Sequence, residues 1–321
     1  MRTLWFHRGA VLLLAAWAAA CTGRAERGAE GPLVVFNAGS LARPIRAALD
    51  TFARREGIPI AQESAGSLES ARKLTELGKI PDLIALADAE VFPRYLMPDF
   101  VDGYVEFAHN RMVLAYTDRS RFAAEVTGEN WWHVMLRPGV EVGRSDPELD
   151  PNGYRTLLVW QLSERFYGER GLAARLAAAS PARNVRPKEA DLVGLLQAGE
   201  FDFIWSYESM ARALGLPYVS LPTEVDLSEP AHAARYAEAS VTVRGARAGD
   251  QVTFKGTPIV YGFAVPRAAP HRALGERFAA FLLSPDGRAI LRREGLDAFE
   301  LARPVGTVGA WADDVMRAKV P

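Results

Sequence analysis

Residues 32–50 read "PLVVFNAGSLARPIRAALD", and this stretch decides the fold. "PLVVF" is a β-branched run that ends at a Gly-containing corner, which is the signature of a buried strand. From Arg43 the apolar residues of "IRAALDTFARRE" recur at helical spacing, so a helix follows the strand at once. Gly39 and Ser40 sit at the join. A Gly-Ser pair there frees backbone N–H groups at a helix N-terminus, where the dipole favours an anion, and Ser40 adds a hydroxyl donor. Alone, the same Ser could simply cap its helix.

The device recurs. "SAGSLESARKL" places Ser67 at the start of a second helix, after the strand-like "IPIAQESA" and before the strand-like "PDLIALAD". Such βαβα order predicts a mostly parallel sheet flanked by helices. Two Gly-Ser corners on one such sheet converge at the carboxyl ends of its strands, where open α/β sheets take their ligands. Further on, "NRMVLAYT" (110–117) reads as a strand, and a long amphipathic helix starts near Pro151, where a missing N–H costs little. "EADLVGLLQAG" reads as a helix, "FDFIWSY" as a strand, and "LPTEVDLSEPAHAARY" as loop. "PIVYGFAVP" (258–266) is a strand again, and two helices close the pattern around a Ser-Pro-Asp-Gly turn. The strands at 110 and 258 mark where the chain leaves one lobe and returns to it, which predicts two lobes, a cleft and a two-stranded hinge.

Composition narrows the function. The 321 residues are 49% hydrophobic and 24% charged with a net charge of -1, a soluble globular profile with no basic run to neutralise phosphates. Nucleic acid is therefore not an expected partner. At the N-terminus, Arg2 and Arg8 precede the apolar "AVLLLAAWAAA", a run too short to span a bilayer and typical of a signal peptide. It ends at Cys21, the only cysteine, so no internal disulfide can form. Small residues before a lone Cys resemble a bacterial lipobox, with Ala18 where Leu is usual. Residues 1–21 are accordingly expected to be a lipoprotein signal ending at a lipidated Cys21, and 22–31 a flexible tether. No G-x-S-x-G elbow, P-loop or H-E-x-x-H occurs, and the five His lack ligand spacing, so neither an enzyme nor a cofactor is expected. Trp131 and Trp132 are expected to pack the interior and not to stack a ligand.

Two more segments carry polar residues at element ends. In "ELDPNGYR", Asp150 stands at an N-cap position before Pro151 and could be a capping Asp or a ligand. In "FDFIWSYESMA", Ser206, Tyr207, Glu208 and Ser209 crowd the end of a strand, and Glu208 could equally be a solvated helix-start carboxylate.

Taken in order, "FNAGSL", "AGSLESARKLTELGKIPDLIALAD", "NRMVLAYT", "GRSDPELDPNGYRTLLVWQL", "FDFIWSYES" and "TPIVYGFAVP" resemble the substrate-binding proteins of tungstate/molybdate ABC importers, in the branch first seen in archaea. The resemblance implies a two-lobed α/β periplasmic-binding-protein fold of type II, each lobe a mixed sheet flanked by helices. Lobe 1 would comprise 32–107 and 258–305, lobe 2 would comprise 108–257, and 306–321 would form a C-terminal tail. It further implies a tetrahedral tungstate or molybdate held by the hydroxyls of Ser40 and Ser67, with Tyr207 as a further donor. Asp150 matches a carboxylate that bonds to the metal centre itself, since tungsten and molybdenum can expand from four to six oxygen ligands. A second carboxylate is expected directly before the Tyr of the Tyr-x-Ser segment, but that place holds Ser206. Either Glu208 substitutes after a local shift, or the site has a single coordinating carboxylate. The expected setting is extracytoplasmic: a monomer on a lipid anchor that delivers the oxyanion to an ABC permease. A sulfate or phosphate receptor, a secreted α/β hydrolase using Ser40, and the sensing domain of a regulator are the alternatives.

Overall fold

A computed structural model describes residues 31–312. The signal, Cys21 and most of the tether lie outside the described residues, as does the end of the C-terminal tail.

Six strands form the first sheet: β1 (Leu33–Ala38), β2 (Ile60–Ala65), β3 (Leu83–Leu86), β4 (Gly103–His109), β12 (Val260–Ala264) and β13 (Asp297–Gly306), in the order β13-β4-β12-β3-β1-β2. Five form the second: β5 (Met112–Tyr116), β6 (Val142–Ser145), β7 (Val185–Arg186), β8 (Phe203–Tyr207) and β9 (Tyr218–Ser220), in the order β7-β6-β8-β5-β9. Both sheets are mixed. β1 pairs in parallel with β2 and β3, whereas β12 runs antiparallel to β3 and β4. Likewise β6 is parallel to β7 and β8, and β5 antiparallel to β8 and β9. The βαβα rhythm at the start therefore predicted only the parallel part of the first sheet. Its antiparallel part is built from strands far apart in sequence, which a local pattern cannot announce.

The helices are α1 (Ala42–Glu56), α2 (Ser67–Thr75), α3 (Trp131–Met135), α4 (Pro151–Tyr167), α5 (Leu172–Ala179), α6 (Glu189–Ala198), α7 (Glu208–Leu214), α8 (Ala233–Tyr236), α9 (Arg272–Leu283) and α10 (Pro285–Arg293). The Ser-Pro-Asp-Gly segment is less a turn than a helix start: Ser284 Oγ accepts from Gly287 N, and Pro285 takes the first helical position.

α4 also departs from expectation. It is buried almost all round, from Pro151 to Ser163, and is not amphipathic. A helix with no solvated face must run through an interior, and α4 does, carrying Tyr154, Trp160 and even Arg155 at 2% exposure or less. Trp160 and Trp131 both pack edge-on against Trp205 of β8, so the Trp131 region is core, as expected. Each such buried aromatic contributes about 1.5–3 kcal/mol over its exposed state.

The chain passes from the first sheet to the second at Asn110 and Arg111, between β4 and β5. Beside that crossing, Asn110 N–H donates to Ile259 O at 3.3 Å, just before β12 re-enters the first sheet. A hairpin of β10 (Ser240–Arg244) and β11 (Gln251–Lys255) reads in neither sheet. It touches elements of both: Thr75 Oγ1 of α2 donates to Ala246 O at 2.7 Å, and Gln161 Nε2 of α4 donates to Ser240 O at 2.9 Å.

Candidate functional site

The strand ends and helix starts that the sequence singled out converge. β1 turns through a short 3-10 segment, Gly39–Leu41, into α1, and Asn37 braces the corner beneath by donating to Ser64 Oγ at 2.9 Å and accepting from Gln62 Nε2 at 2.8 Å. Neither serine caps its helix. Instead Ser40 Oγ accepts from the Tyr261 hydroxyl at 3.0 Å, and that hydroxyl accepts from Asn110 Nδ2 at 2.8 Å. Ser67 Oγ, fully buried at the first position of α2, accepts from Ala87 N–H at 3.0 Å. The Tyr207 hydroxyl, at the end of β8, accepts from Arg155 Nη1 at 2.8 Å. A hydroxyl that accepts in this way keeps its own proton to donate. Ser40, Ser67 and Tyr207 are thus oriented as donors by the protein around them.

The second sheet contributes two carboxylates. Asp150 is the N-cap of α4, with Oδ1 accepting from Asn152 N–H at 3.1 Å, so the capping role left open by the sequence is real. Its Oδ2 accepts from Glu189 N–H at 2.8 Å, at the start of α6. Burial pushes the Asp150 carboxyl up to about 6, against the pull of the two N–H bonds and Arg155. Glu189 lies alongside, 1% exposed, with Oε1 accepting from Ser206 Oγ and from Tyr207 N–H, each at 2.6 Å. Its Oε2 is buried with no hydrogen-bond partner. Burial, reinforced by the Asp150 charge, lifts Glu189 to about 8 despite those two bonds.

Groups from both sheets meet across the site. Leu149 O, one residue before Asp150, accepts from Leu68 N–H at 3.2 Å and Glu69 N–H at 3.3 Å at the start of α2. The approach is so close that a Cβ on Gly66 would fall 2.1 Å from Leu149 O. Arg155 Nη1 also donates to Ala87 O at 2.7 Å, and its Nη2 pairs with Asp88 at 3.0 Å, while the Tyr154 hydroxyl donates to the same Asp88 oxygen. Although burial opposes it, the Asp88 charge holds this guanidinium above its ordinary value, so Arg155 stays charged in the interior. On the far side, Gly39 packs against the Lys188 and Ala190 side chains that flank Glu189. Hydrogen bonds thus link Ser67, through Ala87, to Arg155, Tyr207, Glu189 and Asp150, and Ser40 joins them through Tyr261, whose ring packs edge-on against Tyr207.

Of the residues expected at the site, Glu208 is not brought there. β8 ends at Tyr207 and α7 starts at Glu208, and the change of direction turns that carboxylate outward to the Tyr218 hydroxyl at 2.9 Å and Arg111 at 3.2 Å. It lines a different hollow of about 160 Å³ with His109, Asn110 and Arg212. Glu189 occupies the place by Ser206 instead. The sequence reading missed it because an acidic residue in a first helical turn is common for dipole reasons alone. Arg155, Asp88 and Tyr261 were likewise passed over inside stretches read only for periodicity. Neither Ser40 nor Ser67 has an imidazole as its hydrogen-bond partner; those partners are Tyr261 and Ala87, not the base a nucleophilic serine requires. Among the described residues, no group of three or more His, Cys, Asp and Glu is placed to hold a metal ion as a resident ligand set.

With the geometry in hand, comparison with known proteins places the chain. An uncharacterized solute-binding protein of Petrotoga mobilis is 42% identical over 83% of each chain. The molybdate/tungstate-binding protein WtpA of Thermococcus kodakarensis is 32% identical over 92% of each. Among solved structures, the sulfate-binding protein SubI of Mycobacterium tuberculosis aligns with a TM-score of 0.58, covering 89% of this chain and 90% of that one at 15% identity. The periplasmic molybdate-binding protein of Azotobacter vinelandii aligns with a TM-score of 0.56, covering 82% and 98% at 15% identity. These likenesses share the two-lobed mixed α/β architecture of periplasmic binding proteins. The profile of the bacterial extracellular solute-binding protein family matches residues 33–297, and the chain belongs to that family.

Proposed function

We propose that the protein captures tungstate or molybdate at the centre ringed by Ser40, Ser67, Tyr207 and Asp150 and delivers it to an ABC permease outside the cytoplasm. The observation that carries this reading is the polarity of the three hydroxyls. Each already accepts a bond from the protein, so each has its proton left for an oxyanion. The same arrangement suits a cation poorly, because donors face inward. Arg155 adds a fixed positive charge bonded to Tyr207, and its Asp88 partner keeps it in place. The identity to the archaeal relative named for molybdate and tungstate supports the choice of oxyanion.

In this reading, residues 32–107 with 258–305 and residues 108–257 are lobes that close over the ligand about the crossings at Asn110 and Ile259. Contacts made from both lobes at once favour the closed state. The molecule works as a monomeric binding protein, without catalysis or cofactor. Residues 1–21 direct it across the membrane as a lipoprotein signal, and lipidated Cys21 anchors it through the tether.

Thermal shift with tungstate, molybdate, sulfate and phosphate in parallel tests the reading, since only ligands that prefer the folded state raise the midpoint. A rise with tungstate or molybdate alone is expected. An equal rise with sulfate would replace the proposal with a general oxyanion receptor, and no rise with any of the four would end it.

A further inference from the structure

We propose that Arg72 is a positioning residue: with the β10–β11 hairpin it clasps the closed lobes together through the Asp150 loop, and so sets how long a captured oxyanion is held without choosing which oxyanion is captured. The inference rests on the proposed function and goes beyond it.

Arg72 lies on α2, beyond the turn that carries Ser67, and is only 4% exposed. Its acceptors come from the opposite lobe. Nη2 donates to Glu148 O, two residues before Asp150, and Nη1 donates to Arg244 O at 3.5 Å, at the end of β10. Those two acceptors are themselves tied together, since Arg244 N–H donates to Glu148 Oε2 at 2.8 Å. One guanidinium thus joins α2, the Asp150 loop and the hairpin, which is work for a planar fork of donors and not for a single ammonium.

The hairpin is seated on α4 of its own lobe. Gln161 and Ser240 exchange hydrogen bonds at 2.9 and 3.2 Å, and the Phe254 ring stacks on Tyr154 at 4.6 Å. From that seat it reaches across to the first lobe. The Tyr95 hydroxyl donates to Arg244 O, Thr75 Oγ1 donates to Ala246 O at 2.7 Å, and Arg94 Nη1 donates to Thr253 O at 3.3 Å. Phe254 also takes the Arg94 guanidinium over its ring at 5.3 Å and stacks near Tyr95 at 6.4 Å. In each of these hydrogen bonds a side chain from 32–107 donates to a main-chain carbonyl from 108–257. The clasp therefore consumes none of the hydroxyls assigned to the ligand.

In the proposed reading the lobes swing about the crossings at Asn110 and Ile259, and any such swing parts Arg72 from Glu148 O and Arg244 O. Release of the ligand then waits on the clasp, and Asp150 loses its seat against α2 as the clasp opens. Burying a guanidinium costs desolvation that its bonds only offset, so the contact slows opening and does not forbid it.

The test uses the purified full-length protein. Release is timed by chasing bound radiolabelled tungstate with excess unlabelled tungstate, and Kd is measured for tungstate and molybdate by calorimetry. Arg72→Met is expected to speed release about 10–100-fold, with capture changed about twofold or less. Arg72→Lys should fall between the two, because it keeps one donor and loses the fork. Tyr95→Phe combined with Thr75→Val removes only two hydroxyls and should speed release about fivefold or more; it decides the matter if Arg72→Met does not fold. In every variant the ratio of tungstate to molybdate affinity should stay at the wild-type value. Unchanged release in the folded variants, or weaker binding that arises from slower capture alone, would overturn the clasp and leave the proposed function standing. A shifted tungstate-to-molybdate ratio would overturn it too, by showing that these residues act on the choice of ligand. Failure of the wild-type protein to bind either oxyanion would refute the proposed function itself.

Discussion

Removing the Glu189 charge should stabilise the unliganded protein, and by an amount that depends on pH in a definite direction. A carboxyl whose folded value lies above its unfolded value holds its proton more tightly in the folded state. Stability then falls as pH rises from the unfolded value to the folded one. For Glu189 that window runs from the ordinary 4.5 to about 8. Each unit is worth 1.36 kcal/mol, so at pH 7, where the folded carboxyl still holds a proton that the unfolded one has lost, the shift costs the empty site about 3 kcal/mol. Asp150, lifted from 3.8 to about 6, titrates inside the same window and adds to the slope below pH 6. Glu189→Gln resembles the protonated acid at every pH, because its amide oxygen can accept from Ser206 and Tyr207 N–H as Oε1 does. Thermal melts of ligand-free wild type and variant, taken in steps from pH 4.5 to 9, should coincide at the acid end. They should diverge through the window and stay apart above about pH 8. For a chain of this size 1 kcal/mol moves the midpoint by about 2 °C, so the variant should melt about 6 °C higher at pH 7. A gap that does not change with pH, or a variant that melts lower throughout, would mean that burial does not raise the Glu189 carboxyl, and the reasoning would fall.

Ser40→Ala and Ser67→Ala each delete one proton donor to a desolvated anion and should weaken tungstate about 10–100-fold by calorimetry; an unchanged Kd would remove that serine from the site. Asp150→Ala should abolish tight binding, but it also removes a helix cap and leaves the Glu189 N–H unpaired, so the melting midpoint should drop as well; tight binding that survives in the folded fraction would refute a ligand role. Gly66→Ala places a methyl 2.1 Å from Leu149 O, so the start of α2 must retreat from the Asp150 loop and affinity should fall at least tenfold, whereas wild-type affinity would show that the approach is not required for binding. Arg155→Met strands Asp88 as an uncompensated buried charge and should destabilise by about 3–5 kcal/mol, measured by urea unfolding; a loss under 1 kcal/mol would contradict the burial of that pair.

How far the sequence could be read depended on whether a residue's role was local. The two Gly-Ser corners were legible because strand, turn and helix lie within a dozen residues, and the structure places each at the start of a helical segment. Asp150 was legible for the same reason, as an acid before a proline at a helix start. The antiparallel half of the first sheet was not, since β12 joins β3 and β4 from some 150 residues away. Glu208 and Glu189 illustrate the limit most clearly. Both are first-turn acids next to the crowded end of β8, and periodicity assigns them identical surroundings. Only the pairing of β8 with β6 and β5, and the seat of α6 beside β6 and β8, settles which one faces Asp150.

The same geometry explains why so polar a centre can be buried at all. Asp88, Arg155, Asp150 and Glu189 together carry three acidic groups against one guanidinium, an imbalance that a permanent core would not tolerate. Arg155 pairs with Asp88 and donates from Nη1 to Ala87 O and the Tyr207 hydroxyl, so its charge is already balanced by Asp88. The excess therefore falls on Asp150 and Glu189, where burial has already lifted both carboxyls towards protonation. An oxyanion that brought only negative oxygens would deepen the imbalance, and a simple cation would meet three hydroxyl protons. Under the proposed function, a centre that is negative at its rim and electron-poor at its core would satisfy the hydroxyls with its oxygens and a carboxylate with its metal. In that reading the donor set constrains its ligand from both sides, which is more than size or net charge alone could supply.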